Sequence, residues 1–324
     1  MRTFVTGGTG FIGSHVVDLL LENGHSVTLL LRRPSVPAAW NGRDVTVAQG
    51  DLREPGPVID AMKGADVVFH IGEVRSTTAG NAAVNVELVK RMVMALGPSE
   101  VKRLVFVSSI SVAGIPLAIP ANEDTPALQD LRDQYTEYKR KAEELIRQSP
   151  SGVEHVIVRP GVVYGPGSRR LGSMIDAIRR FGPLGLPFIG AGTNLLPLIH
   201  MKDLARAVYL AGTVPSAANQ TLNITDGERR TWMSFFTAIA EGQHKRFRLI
   251  PVHPALVKFP AMFVDLFTGI FGQSLDLPAF VSYVTRDVHF DCGRAKSVLG
   301  WEPSYRDLRD AMRDMVAWYA TRKE

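Results

Sequence analysis

The chain has 324 residues, 45% of them hydrophobic and 21% charged, and its 37 Lys and Arg against 32 Asp and Glu give a formal net charge of +5. This length can bury a sizeable core in one large domain or two smaller ones. The composition excludes a disordered tail protein, a collagen-like chain and a coiled coil. The basic residues are spread out. Their densest cluster, His244-Lys245-Arg246-Phe247-Arg248, reads as a solvated turn or helix end, so no nucleic-acid partner is expected.

In chain order, Met1-Arg2-Thr3-Phe4-Val5 runs straight into a strand and a glycine turn, without the apolar run and small-residue site of a secretory leader. Thr3 to Val5 reads as a strand and Phe11 to Glu22 as a helix with Ile12, Val16, Leu19 and Leu20 on one face. Strands follow at Ser26 to Leu31, Val45 to Ala48, Val67 to Ile71, Leu104 to Ser108 and His155 to Val158. Helical stretches lie between them at Pro57 to Met62, Ala83 to Leu96 and Tyr135 to Arg147. Apolar strands alternating with amphipathic helices imply an α/β fold, a doubly wound parallel sheet covered on both faces.

The pattern changes after Gly165, where Pro166-Gly167 breaks it. The expected division is a dinucleotide-binding domain over 1–165 and a smaller, mainly helical C-terminal substrate lobe over 166–324. Segments near 196–214 and 286–292 are expected to return to the first domain. The single cysteine, Cys292, allows no intrachain disulfide, and the histidines lack the spacing of a zinc site. No apolar run approaches the ~20 residues of a membrane-spanning helix, so a cytoplasmic protein is expected.

Thr6-Gly7-Gly8-Thr9-Gly10-Phe11-Ile12-Gly13 joins the first strand to the first helix. Gly7 suits a tight turn, Gly10 a close backbone approach to a pyrophosphate, and Gly13 close packing of the helix. Together with Phe11 and Ile12, whose N–H groups open the helix, these residues form the expected dinucleotide cradle. An NAD-preferring site usually ends its second strand with an acid that bonds the ribose 2′-OH. Here the strand ends in Leu31-Arg32-Arg33, and two guanidinium groups suit a 2′-phosphate. NADP is therefore the expected cofactor, with NAD possible if Arg32 and Arg33 only decorate a loop. Asp51 and Leu52, after the third strand, are placed near the adenine.

Tyr135 and Lys139 stand four residues apart on one helix face, whereas Tyr138 has no Lys at that spacing. A free tyrosine has a pKa of about 10, and a neighbouring ammonium stabilises the phenolate. Ser109 ends the strand that begins at Leu104, and strand carboxyl ends face the ligand crevice in such sheets. Taken singly, a serine there is as readily a cap and a helical tyrosine as readily core.

With the glycine turn, these pieces resemble the extended short-chain dehydrogenase/reductase superfamily, also called the NAD-dependent epimerase/dehydratase family. The resemblance rests on Thr6 to Gly13, Gly50-Asp51-Leu52, Val68-Phe69-His70, Asn85-Val86, Val107-Ser108-Ser109 with Gly114, and Tyr135-x-x-x-Lys139-x-x-Ala142-Glu143. It continues through Arg159-Pro160, Tyr164-Gly165-Pro166-Gly167, His200-Met201-x-Asp203 and Leu299-Gly300-Trp301-x-Pro303. It implies a Rossmann fold, Tyr135 as general acid/base, Lys139 lowering its pKa and binding the nicotinamide ribose, and Ser109 orienting the reacting oxygen. Asn85 is implied to be structural or on a water path, and a homodimer through two helices of the first lobe is implied. The family's small Ala-Ala after the fourth strand is Gly72-Glu73 here. Glu73 either adds a polar group to the pocket or points outward, and the outward position is expected.

Ile110-Ser111 replaces the Asp-Glu pair of the 4,6-dehydratase branch, which disfavours elimination. No cation precedes His200 to clamp a sugar diphosphate, although Arg169, Arg170, Arg179 and Arg180 could supply one. The chain is more similar to 3β-hydroxysteroid dehydrogenases and dihydroflavonol reductases, in Gly190-x-Gly192-x-Asn194-Leu195, in the Arg after the second strand and in Phe290-Asp291 before Lys296. Phe259, Met262, Phe263, Leu266, Phe267, Ile270 and Phe271 suit an apolar small-molecule substrate, ordinary core or dimer contacts, or a membrane surface. The expected function is an NAD(P)(H)-dependent oxidoreductase interconverting a secondary alcohol and a ketone on a fairly apolar small molecule. The alternatives are a nucleotide-sugar epimerase and a non-catalytic NADP(H)-sensing regulator.

Overall fold

The computed structural model describes residues 1–33, 35–74, 79–131, 133–254 and 277–321. The first half runs β1 (Arg2–Thr6), α1 (Phe11–Glu22), β2 (Ser26–Leu31), β3 (Val45–Gln49), α2 (Pro55–Met62), β4 (Val67–His70), α3 (Ala79–Leu96) and β5 (Arg103–Val107). A short hairpin, β6 (Ile115–Pro116) and β7 (Ala127–Gln129), precedes α4 (Gln134–Arg147), β8 (Glu154–Pro160) and β9 (Val162–Tyr164). Then come α5 (Arg169–Phe181), β10 (Leu186–Ile189), β11 (Leu198–His200), α6 (Met201–Thr213), β12 (Gln220–Ile224), α7 (Trp232–Gly242) and β13 (Leu249–Val252). Three further described helices span Leu277–Thr285, Gly293–Leu299 and Leu308–Ala320.

Seven strands form the main sheet in the order β12-β8-β5-β4-β1-β2-β3, every pair parallel. Successive strand residues alternate between two cores. Val5, Leu29, Phe69, Val105 and Val158 pack on the side of α1 and α6, while Phe4, Val68, Leu104, Phe106 and Ile157 pack on the side of α3 and α4. This double burial explains why the strands read as continuous apolar runs. β12 is a seventh strand that the alternation of the first half did not reveal; it pairs with β8 from Gln220↔Val156 to Ile224↔Pro160.

The chain winds β1-β2-β3 to one side, then crosses to β4 on the other side of β1. That reversal opens a crevice at the carboxyl ends of β1 and β4, where ligands bind in open α/β sheets. A third core joins α5, α7 and the helix Leu308–Ala320 through Leu171, Ile178, Phe235, Phe236, Met312 and Met315. The basic cluster at 244–248 lies between α7 and β13, with both lysine and arginine side chains exposed. The apolar stretch from Phe259 to Phe271, and the membrane-surface reading built on it, lie outside the described residues. No helix among the described residues is long and apolar enough to cross a membrane.

Candidate active site

The glycine turn sits at the β1–β4 crevice. Gly7 has φ +72°, and a Cβ there would lie 2.4 Å from the Gly72 Cα. A Cβ on Gly13 would lie 2.1 Å from the Gly7 carbonyl oxygen, so the helix can close on the turn only without a side chain. Gly10 differs, because its Cβ would meet only the Gly7 oxygen, at 3.1 Å. Gly10 also caps α1, with no side-chain cap and no acidic residue in the first turn. Open space above bare N–H groups at a helix start is a cradle for an anion. Phe11 faces the turn after β9, lying 3.5 Å from where a Cβ on Gly167 would stand, and Ile12 packs against the core beneath α1. Gly72, read from sequence only as a departure from Ala-Ala, is demanded by this close approach, since a Cβ there would lie 2.9 Å from the Gly7 nitrogen.

Arg32 and Arg33 are exposed just beyond the carboxyl end of β2. The Asp51 carboxyl is held below the ordinary range, chiefly by its hydrogen bond from Arg53, with Arg32 also contributing. Leu52 is buried beside Val58 in the core, so its side chain serves packing.

On α4, the Lys139 ammonium donates to the Val107 carbonyl at the end of β5, at 3.0 Å. It lies 5.7 Å from the Tyr135 ring centroid, 5.0 Å from that of Tyr138 and 5.1 Å from that of Phe106. The two tyrosines differ in access: Tyr138 is 3% exposed, and burial pushes its phenol far up, whereas Tyr135 is half-buried. Ser109 follows Val107 by two residues and caps the turn Ile110–Ala113. Its Oγ accepts from the Ser111 N–H at 3.3 Å and from the Ser111 hydroxyl at 3.0 Å. With two donors aimed at it, the Ser109 hydroxyl is set to donate its own hydrogen.

The position of α4 is fixed by Glu143, one turn beyond Lys139. Its fully buried carboxylate accepts from Arg159 Nε at 2.8 Å, Arg159 Nη2 at 2.6 Å and Ser108 Oγ at 2.7 Å. Burial alone would raise this carboxyl; the Arg159 and Ser108 bonds outweigh burial and lower it. A helix is thereby bolted to β5 and β8 at the level where Ser109 leaves the sheet, an arrangement visible in sequence only as unassigned motif residues.

Glu73 was expected to point outward. Instead its carboxylate lies 3.0 Å from the Lys139 ammonium, with the lysine side chain 5% and the glutamate 24% exposed. Burial alone would lower the Lys139 pKa, but Glu73, with the two phenols, more than offsets that and holds the ammonium charged. Asn85 is structural: its amide accepts from the Val74 N–H and donates to the Val74 carbonyl, both at 2.8 Å, clasping the loop that carries Glu73. Beneath this, His70 is buried and paired with Thr6 Oγ1 at 2.7 Å, its pKa pushed down to about 3, first by burial and then by Lys139.

A family model described as "NAD dependent epimerase/dehydratase family" matches residues 3–225. The chain belongs to this family. Among its relatives, a 3-beta-hydroxysteroid dehydrogenase of Mycolicibacterium neoaurum is 27% identical over 98% of this chain and 91% of its own length. A ceramide reductase of Caulobacter vibrioides is 27% identical over 95% of this chain and 88% of its own. A 3beta-hydroxysteroid-dehydrogenase/decarboxylase isoform 2 of Arabidopsis thaliana is 29% identical over 92% of this chain, which spans only 58% of that longer protein. Among solved structures, MoeE5 in complex with UDP-glucose and NAD superposes with a TM-score of 0.75 at 25% identity, covering 99% of both chains. The human epimerase family protein SDR39U1 (isoform2) with NADPH shares the fold at a TM-score of 0.72 and 22% identity, covering 98% of this chain and 99% of its own. Structural neighbours are thus known with either nucleotide.

Proposed function

We propose that this protein is an NAD(P)(H)-dependent oxidoreductase that interconverts a secondary alcohol and a ketone on an apolar small molecule. The observation that carries this reading is the pairing of one accessible phenol, Tyr135, with a buried and charged ammonium, Lys139, tied to the strand end that leads to Ser109. The bare start of α1 and the space over Gly10 fit a dinucleotide pyrophosphate. When bound, the nicotinamide supplies the hydride chemistry. Ser109 then orients the substrate oxygen by donating its hydroxyl hydrogen. Tyr135 Oη gives a proton to that oxygen during reduction and takes it during oxidation. Lys139 favours the phenolate by its charge.

Arg32 and Arg33, at the end of β2, favour NADP through a 2′-phosphate. The apolar substrate is supported by an open cleft of about 450 Å³ lined mainly by Ile115, Pro116, Leu117, Ala118, Ile119 and Leu128, with Arg286 and Asp287 also on its wall. This cleft begins directly after Gly114, on the turn that Ser109 opens. The steroid and ceramide enzymes among the relatives agree with such a substrate. A cytoplasmic homodimer belongs to the same reading, and its size is checked by sedimentation.

The likeness to MoeE5 with UDP-glucose and NAD favours a second reading, a nucleotide-sugar epimerase. One experiment separates them. Purified protein is offered NADPH with apolar ketones, or UDP-glucose alone, and followed by nicotinamide absorbance and product analysis. Net NADPH oxidation that falls at least about a hundredfold in Tyr135→Phe supports the reductase. Sugar interconversion without net absorbance change supports the epimerase. Wild-type turnover preserved in Tyr135→Phe removes Tyr135 as the acid/base.

A further inference from the structure

Glu73 is a charged group brought into the catalytic machinery by a loop where the family pattern has a small apolar residue. Its carboxylate and the Lys139 ammonium are 3.0 Å apart. Lys139 has a second anchor, the Val107 carbonyl at 3.0 Å, so the lysine is held from two sides. We propose that Glu73 is a positioning residue that holds Lys139 in place and offsets its charge at Tyr135, setting the pH at which that phenol gives up its proton. The catalytic consequence rests on the reading of Tyr135 as the acid/base; the electrostatic coupling does not.

A lone ammonium acts on Tyr135 as a single charge, whose influence falls as the inverse of distance. An ammonium with a carboxylate 3.0 Å away acts as a dipole, whose influence falls faster. At the Tyr135 ring, 5.7 Å from Nζ, the carboxylate therefore opposes what the ammonium would do alone. Among the described residues, Tyr138 on α4, buried and kept protonated, and His70 on β4, kept neutral, couple to this pair, and the buried Asp133 caps α4 two residues before Tyr135, where it accepts from the Thr136 N–H. The turn after β5 contributes only the neutral hydroxyls of Ser109 and Ser111. Glu73 is the carboxylate in direct contact with Lys139. Removing its charge should leave the loop in place, because Asn85 clasps Val74 by two hydrogen bonds and Gly72 N donates to Thr6 Oγ1 at 3.4 Å.

The test is a titration of the full ligand-free chain carrying ¹³Cζ-labelled tyrosine, with the Tyr135 signal assigned by its loss in Tyr135→Phe. In Glu73→Gln the Tyr135 midpoint is expected to fall by about one pH unit, a tenfold change in its ionisation constant. A fall of at least about half a unit supports the proposal, and a smaller fall or a rise overturns it. Should the Gln variant not fold, Glu73→Ala is read by the same thresholds. The pH profile of turnover separates the two layers. If Tyr135→Phe stays active, the acid/base reading fails while the titration still decides the coupling. If Tyr135→Phe is inactive and the Glu73→Gln midpoint stays put, the coupling alone fails.

Discussion

At the scale of single residues, the glycines of the turn divide by what surrounds them. A methyl on Gly13 would press into the Gly7 carbonyl at 2.1 Å, a backbone atom that cannot yield without moving the turn. A side chain on Gly10 meets one backbone atom, the Gly7 oxygen at 3.1 Å, a milder crowding than at Gly13, and Gly10 has an ordinary φ of −80°. Gly13→Ala should therefore lower stability by about 1–3 kcal/mol in urea unfolding. Gly10→Val should cost about 1 kcal/mol as a poorer cap and weaken NADPH binding at least about tenfold, by filling the pyrophosphate space. Normal affinity in Gly10→Val would remove this turn as the cofactor site. Arg32 carries the other residue-scale prediction. Arg32→Ala should weaken NADPH about tenfold or more and barely change NADH, read by fluorescence titration. Equal weakening of both would remove the 2′-phosphate argument.

At the scale of elements, α4 matters most because it carries both Tyr135 and Lys139. Its amphipathic pattern and spacing were legible in the sequence, and its start is fixed by Asp133, whose side chain accepts from the Thr136 N–H at 3.0 Å. What anchors it was not legible. Glu143 lies on α4 and Arg159 on β8, and only the packing of α4 against the sheet sets them face to face. Glu143→Ala would leave the buried Arg159 guanidinium without its carboxylate. It should cost about 3 kcal/mol in urea unfolding. An unchanged midpoint would show that α4 is held by apolar packing alone. The loop after β4 makes a similar point. Gly72 and Glu73 read as a departure from a small-residue pattern, yet Gly72 admits the close approach of the glycine turn and Glu73 meets Lys139.

At the scale of the whole molecule, buried histidines tie stability to pH. Burial is the leading cause that lowers both His70 and His200 to about 3, and both stay neutral in the folded chain. Between about pH 3 and the unfolded value near 6.5, the unfolded chain binds more protons at these sites, so stability falls as pH falls through that window. Asp226 acts oppositely. Burial raises its carboxyl to about 6, so below that pH the folded chain gains a proton and stability, until the unfolded carboxyl protonates near its ordinary value. Two histidines outweigh one aspartate, leaving a net slope of about 1.4 kcal/mol per pH unit between about pH 4.5 and 5.5 from these groups. Urea midpoints should drop accordingly, and His70→Gln should flatten the slope. A midpoint that rises on acidification across this window would contradict the neutral burial of these rings.

The sequence by itself determined the alternation of strands and helices, the glycine turn and the Tyr135–Lys139 spacing. Each depends on chain neighbours and on periodicities that repeat within a few residues. Only the tertiary structure decided that β12 closes the sheet edge, that Tyr138 is buried while Tyr135 is accessible, and that Glu73 faces Lys139. Those outcomes are set by contacts between residues far apart in the chain. They follow from how the elements pack, and no local pattern of residue types encodes that.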